Sequence, residues 1–178
     1  MVQTGSVDKV TTRAVAQRVG CSSPSIYLHF PDRASMLIDM CQLQFDHLGA
    51  ALAEGIEGID DPIERLCEIG RAYARFALDH PQQYRTMMMD VIAGVAYEAT
   101  LEEMRSDLGF DIVVSAITDG IAAGALAPTD PLLSTFALWA QIHGVVSILI
   151  AKPHAGWGDA DPLIDFALAQ AIEGLRAR

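Results

Sequence analysis

Apolar positions along this chain recur every three or four residues, the spacing of one face of an α-helix. No segment alternates apolar and polar residues with β-branched enrichment, as a half-buried strand would. Glycine and proline cut the pattern into helical segments. The first runs from about Thr12 to Val19 and stops at Gly20, with Thr11 or Thr12 supplying the N-cap oxygen. A second short segment covers Ser23 to Phe30, with Ser22 as cap and Pro24 in the first turn, where a missing N–H costs nothing. Pro31 ends it, and Asp32 caps a long helix from about Arg33 to Ile56, with Met36, Leu37, Met40, Leu43, Leu48 and Leu52 at helical spacing. Asp60-Asp61-Pro62 opens the next helix, which ends near Asp79-His80-Pro81. Further helices are predicted over Gln82 to Ala96 or beyond, Leu101 to Ala123, Pro131 to about Ala151, and Leu163 to Ala177. The predicted fold class is all-α.

About half of the 178 residues are hydrophobic, so a sizeable core is within reach. No uninterrupted apolar run attains the length of a bilayer span, because Gln141, His143 and Gly144 break the longest candidates. The start lacks a basic segment followed by an apolar one, so no secretion signal is expected and the protein is placed in the cytoplasm. Cys21, Cys41 and Cys67 lack metal-ligand spacing and read as free thiols. Neither a metal nor a cofactor is expected. No Gly-rich phosphate loop and no hydrolase or metalloprotease signature is present, so an enzyme is not expected and no catalytic residue is assigned.

Charge is distributed unevenly. The first 33 residues carry four basic and two acidic side chains, a net of +2; the rest carries 8 basic and 21 acidic, a net of −13 within the total of −11. Phosphates attract cations only within a Debye length of roughly 8–10 Å, so a basic head on an acidic body is compatible with DNA binding. The two short segments joined by Gly20-Cys21-Ser22 have helix-turn-helix spacing. Ala14, Val15, Val19, Ile26, Phe30 and Leu37 fall on inner faces, while Arg13, Ser23, Ser25, Tyr27 and His29 face out with groups that reach phosphates or base edges.

Over Thr11 to Arg33 the match becomes specific. The T-x-x-x-(V/I)-A-x-x-x-G-x-S start, the Y-x-H-F core formed by Tyr27-Leu28-His29-Phe30, and the acidic-basic pair Asp32-Arg33 resemble the DNA-binding signature of the tetracycline-repressor (TetR) family. That resemblance implies a helix-turn-helix domain over residues 1–40 and a helical ligand-sensing and dimerisation domain over residues 41–178. It assigns DNA contacts to Thr12 and Arg13, to Ser23, Pro24 and Ser25 in the groove, to Tyr27 and His29 on phosphates, and to Arg33 at the start of the connecting helix. The family has a further helix before this motif that completes its core. Here only Met1 to Val10 precede it, so that first helix is read as missing and Val15, Val19 and Ile26 as partly exposed.

The segment Leu138-Trp139-Ala140-Gln141-Ile142-His143-Gly144 resembles a Trp–His–Gly signature of one family branch. In that branch the last two helices form a four-helix bundle with a second copy, and Ile164, Leu168, Ile172 and Leu175 suggest a partner-facing stripe; packing within one chain is the alternative. Tyr73, Phe76, Met88, Val91, Tyr97, Phe110, Val113, Ile117, Trp139 and His143 are candidates to line a pocket for a small apolar effector, with core packing the more ordinary role for each. The expected function is a one-component regulator, a ligand-released repressor that binds palindromic operator DNA as a homodimer with recognition helices about 34–36 Å apart. The rival reading is a helical small-molecule-binding module without DNA binding. No membrane partner is expected.

Overall fold

The computed structural model describes residues 10–88 and 108–177. Within them lie eight helices: α1 (Thr12–Val19), α2 (Ser23–Tyr27), α3 (Arg33–Gly55), α4 (Pro62–Asp79), α5 (Pro81–Met88), α6 (Leu108–Ala122), α7 (Pro131–Ala151) and α8 (Asp161–Glu173). The only pairing of extended backbone among the described residues is an isolated antiparallel bridge between Leu126 and Arg176. The fold is all-α, as the periodicity requires.

Helix starts follow their caps. Thr11 Oγ1 accepts from Ala14 N–H at 3.1 Å and Ser22 Oγ from Ser25 N–H at 3.3 Å. Asp32 Oδ1 accepts from Ser35 N–H at 2.8 Å, Asp61 Oδ1 from Glu64 N–H at 2.7 Å, and Asp130 Oδ1 from Leu132 N–H at 2.9 Å. Gly20 ends α1 in the left-handed region at φ 82°, where a side chain is strained. Two ends differ from the sequence expectation. Helix α2 stops at Tyr27, so His29 and Phe30 lie in the following turn. Helix α8 stops at Glu173 because the chain then turns back, where Ala127 N–H donates to Leu175 O at 2.8 Å and Ala177 N–H to Ala125 O. The expected helices over Gln82–Ala96 and Leu101–Ala123 are seen in their described parts, α5 and α6; the remainder lies outside the described residues.

The chain divides into two compact units, one of residues 1–45 with 80–99, the other of residues 46–79 with 100–178. In the first, the core is Val10, Ala16, Ile26, Met36, Leu37 and Cys41, with Val15, Phe30 and Met40 packed against it. Of the three residues expected to be partly exposed, Ile26 is instead buried, Val15 is half-buried and Val19 is 70% exposed. Ile26 is covered because the turn at Gly20 folds α2 back onto α1. Beside this core lies a cavity of about 610 Å³ lined by Val10, Val15, Phe30, Met36, Met40 and Leu43, with Gln83, Thr86 and Met87 of α5. Gln44 also lines it, and its buried Oε1 has no hydrogen-bond partner among the described residues.

The second unit packs α4 against α6, α7 and α8, and α7 against α6 and α8. Its core includes Leu66, Ile69, Tyr73, Ala77, Ile117, Leu126, Val146, Leu149, Ile164, Leu168 and Ile172. Ile164, Leu168 and Ile172 therefore fill their own chain's core and do not form a partner-facing stripe; Leu175 lies beyond α8. The reason is Gly70 on α4, whose missing side chain leaves the space that Leu168 occupies. The 21-residue α7 is long and apolar enough to cross a bilayer, contrary to the reading from uninterrupted runs; Gln141 and His143 interrupt its apolar character without ending the helix. It packs on α4, α6 and α8.

Candidate nucleic-acid interface and effector cluster

The outward side of the α1–turn–α2 motif carries the residues assigned to DNA. Arg13, Pro24, Tyr27 and His29 are exposed, and Thr12, Ser23, Ser25 and Arg33 are half-buried. Thr12 Oγ1 and Tyr27 Oη lie 3.2 Å apart, tying the start of α1 to the end of α2. That bond positions the Tyr27 ring while its edge stays in solvent. Ser25 Oγ lies 2.7 Å from Ser22 Oγ, so its hydroxyl is shared with the cap. Arg33 Nε donates to Val10 O at 2.7 Å, which fixes the segment entering α1. The exposed Arg13 and His29 are thus the least committed donors of the set. Asp32, beside them, is held below its ordinary carboxylate range, first by Ser35 N–H and then by the Ser35 hydroxyl, so it stays anionic as a cap.

In the second unit, α4 and α7 bring three of the assigned effector residues together. Trp139 Nε1 donates to Tyr73 Oη at 3.1 Å, and Tyr73 Oη lies 3.2 Å from His143 Nδ1. The Trp139 and His143 rings are tilted against each other with centroids 5.4 Å apart. Burial lowers the pKa of His143 from its ordinary 6.5, which keeps the imidazole neutral at pH 7. Two residues not assigned from sequence stand nearby on α7, the first in contact with His143 and the second with Phe110. Ser147 Oγ lies 3.3 Å from His143 Nε2, and Phe136 packs its ring on Phe110 with centroids 5.1 Å apart. Their signal was available in the spacing, since both stand on the face of α7 that carries Trp139 and His143.

The other assignments disperse. Phe76 and Ile117 are buried in the second unit, with Ile117 fully so, and Val113 is half-buried. Met88 ends α5 and belongs to the first unit. Val91 and Tyr97 lie outside the described residues. Burial raises the Cys41 and Cys67 thiols above their ordinary range, which makes both poor nucleophiles. Among the described residues no group of three or more His, Cys, Asp or Glu side chains is arranged to hold a metal ion.

Comparison with known proteins places both units. Residues 3–40 match the model of bacterial regulatory proteins of the tetR family, and residues 66–171 match the tetracyclin repressor-like C-terminal domain. The nucleoid occlusion factor SlmA of Marinomonas sp. strain MWYL1 is 27% identical over 94 residues, 53% of this chain and 48% of that protein. The chain thus spans about half the length of this curated relative. A protein of unknown function from Rhodococcus sp. RHA1 superposes with a TM-score of 0.81 at 25% identity, over 98% of this chain and 89% of that one. The TetR family transcriptional regulator PfmR from Thermus thermophilus superposes with a TM-score of 0.69 at 21% identity, over 96% and 91%. Motif, fold and both domain matches agree, and the chain belongs to the TetR family of transcriptional regulators.

Proposed function

We propose that this protein is a one-component, cytoplasmic transcriptional regulator, a repressor that holds palindromic operator DNA as a homodimer and is released by a small apolar effector. The observation that carries this reading is the exposed donor set of the helix-turn-helix, Arg13, Tyr27 and His29 around the Gly20 turn, on the one basic part of an acidic chain. Arg13 is read as contacting a base or phosphate, Ser23, Pro24 and Ser25 as entering the major groove, and Thr12, Tyr27, His29 and Arg33 as gripping the backbone. An effector that prefers one dimer geometry shifts the population away from DNA-competent dimers.

The dimer is proposed to form through the outward faces of α7 and α8. Leu133 is 65% and Phe166 64% exposed, with Ile148 and Leu163 also exposed. Ala137, Ala140 and Gly144 between them keep that face of α7 low, and an added side chain at Gly144 would meet nothing, so a second helix can approach closely.

The test is fluorescence anisotropy with double-stranded DNA flanking the protein's own gene, using this chain and one extended upstream by a helix. Saturable binding that falls steeply with salt, and that weakens in Arg13→Ala and Tyr27→Ala, supports the regulator. If neither form binds at low salt, a helical small-molecule-binding module replaces it. Sedimentation of Phe166→Arg tests the dimer face; an unchanged dimer rejects it.

A further inference from the structure

From Val10 to Pro31 the chain carries Arg13 and Arg18 and no acidic residue, within a protein of net charge −11. On this basic stretch Leu28 stands between the exposed Tyr27 and His29 and is itself 84% exposed, more than any other large hydrophobic side chain among the described residues. Val19, 70% exposed, belongs to the end of α1 and not to α2.

The backbone at Leu28 is held in place. It keeps α-helical angles, φ −70° and ψ −25°, one residue past the end of α2. The N–H groups of His29 and Phe30 both donate to Ile26 O, at 3.0 and 2.9 Å. Ile26 is buried and Phe30 packs on the core of the first unit, so the chain is anchored on both sides of Leu28. With helical backbone up to this point, Leu28 shares a face with Pro24 four residues earlier, which is also exposed. That face lies opposite the buried Ile26, and a fixed backbone therefore presents an apolar edge to solvent.

A single exposed apolar side chain is ordinary on a protein surface. What gives this one meaning is its place on the segment read as entering the major groove. The base edges there offer nitrogen and oxygen acceptors, amino donors, and one apolar group, the C5-methyl of thymine. Leucine has no polar atom, so the methyl is the feature it recognises.

We infer that Leu28 is a specificity-determining residue of the DNA-reading surface, covering the C5-methyl of a thymine in each half-site. This rests on the proposed binding of operator DNA by the helix-turn-helix. Tyr27 and His29, read as gripping phosphates, position it from either side. Four helical residues advance about 6 Å, so Leu28 and Pro24 read within roughly two base-pair steps of about 3.4 Å.

The test is fluorescence anisotropy with the duplex flanking the protein's own gene, on this chain and on the chain extended upstream by a helix. Thymines are replaced one at a time by deoxyuridine, which removes the methyl and keeps every hydrogen-bonding group. Burying one methyl is worth roughly fourfold in affinity, and one thymine in each half-site is expected to show a loss of that size. Leu28→Ala is expected to bind the thymine duplex at least roughly fourfold more weakly and to bind the thymine and deoxyuridine duplexes equally. Damage to the fold would weaken both duplexes alike, so the difference between them is the readout. Leu28→Met, which keeps an apolar side chain of similar length, is expected to keep the discrimination. Equal binding whichever thymine is replaced overturns the inference, and so does a deoxyuridine loss that survives in Leu28→Ala; the regulator stands in both cases. Failure of both chains to bind any duplex at low salt overturns the inference and the regulator together.

Discussion

Among the described residues, the first unit has a core cluster of six buried residues with a cavity of about 610 Å³ beside it. The second unit packs so tightly that two of its helical positions have room for hydrogen only. An added carbon at Gly70 would collide with Leu168, and one at Gly120 would stand 2.7 Å from Leu126. The difference teaches where this chain keeps its rigidity. The second unit holds the hydrogen-bonded group Trp139, Tyr73, His143 and Ser147 in a close-packed frame. The first holds its donors by local devices, namely the Thr11, Ser22 and Asp32 caps, the Gly20 turn, and the Thr12–Tyr27 and Arg33–Val10 bonds.

The contrast is sharpest for truncations. Leu126→Ala removes a fully buried side chain from tight packing and is expected to cost about 3 kcal/mol in urea unfolding. Val15→Ala, at the wall of the cavity, is expected to cost about 1 kcal/mol, because no close-packed neighbour is lost on its open side. Equal losses would break the comparison. Overpacking comes next: Gly70→Val is expected to cost about 1–3 kcal/mol, since Leu168 has to leave its rotamer or α4 and α8 have to part. A thermal melt unchanged in that variant would mean that the second unit has slack of its own.

Acid separates the units by the groups that titrate. Burial holds the folded-state pKa of His143 below its ordinary 6.5, so the unfolded chain binds the proton more readily. The stabilisation is present above that value and is lost as pH falls through the folded one. His143→Gln is expected to flatten the pH dependence of unfolding just below 6.5. Asp32 is also depressed, from its ordinary 3.8, by the two Ser35 hydrogen bonds. Its contribution is present above 3.8 and is lost only as pH falls further, so Asp32→Asn changes acid unfolding in a lower window, read by amide exchange at the start of α3. The smallest effect is expected at Val19, whose side chain is 70% exposed: Val19→Ser stays within about 0.5 kcal/mol in this chain. A larger loss would show that something covers it.

Much of this was legible from local chemistry. Caps and breakers act within a few residues, and Thr11, Gly20, Ser22, Asp32, Asp61 and Gly124 mark helix ends as their side chains and backbone freedom require. The exposure of Arg13, Tyr27 and His29 was legible for the same reason, because they belong to one short motif whose geometry is set by its own turn. The end of α2 falls three residues short of the expected Phe30, since a helix of five residues has no interior whose periodicity reveals its last turn.

Tertiary structure decided which apolar faces are covered. Ile164, Leu168 and Ile172 have the spacing of an interface stripe, yet Gly70 on α4, far away in sequence, opens the space that turns Leu168 inward. Leu133 and Phe166 look no different in the sequence and are left outside. Likewise the spacing of α7 aligned His143 with Ser147, while the contact of the imidazole with Tyr73 brings in α4. Sequence alone determined helices, caps and the DNA-reading motif, because those follow from interactions within a few residues. The buried core, the outward apolar face and the contact of Tyr73 with Trp139 and His143 follow from contacts between distant segments, which no local pattern encodes.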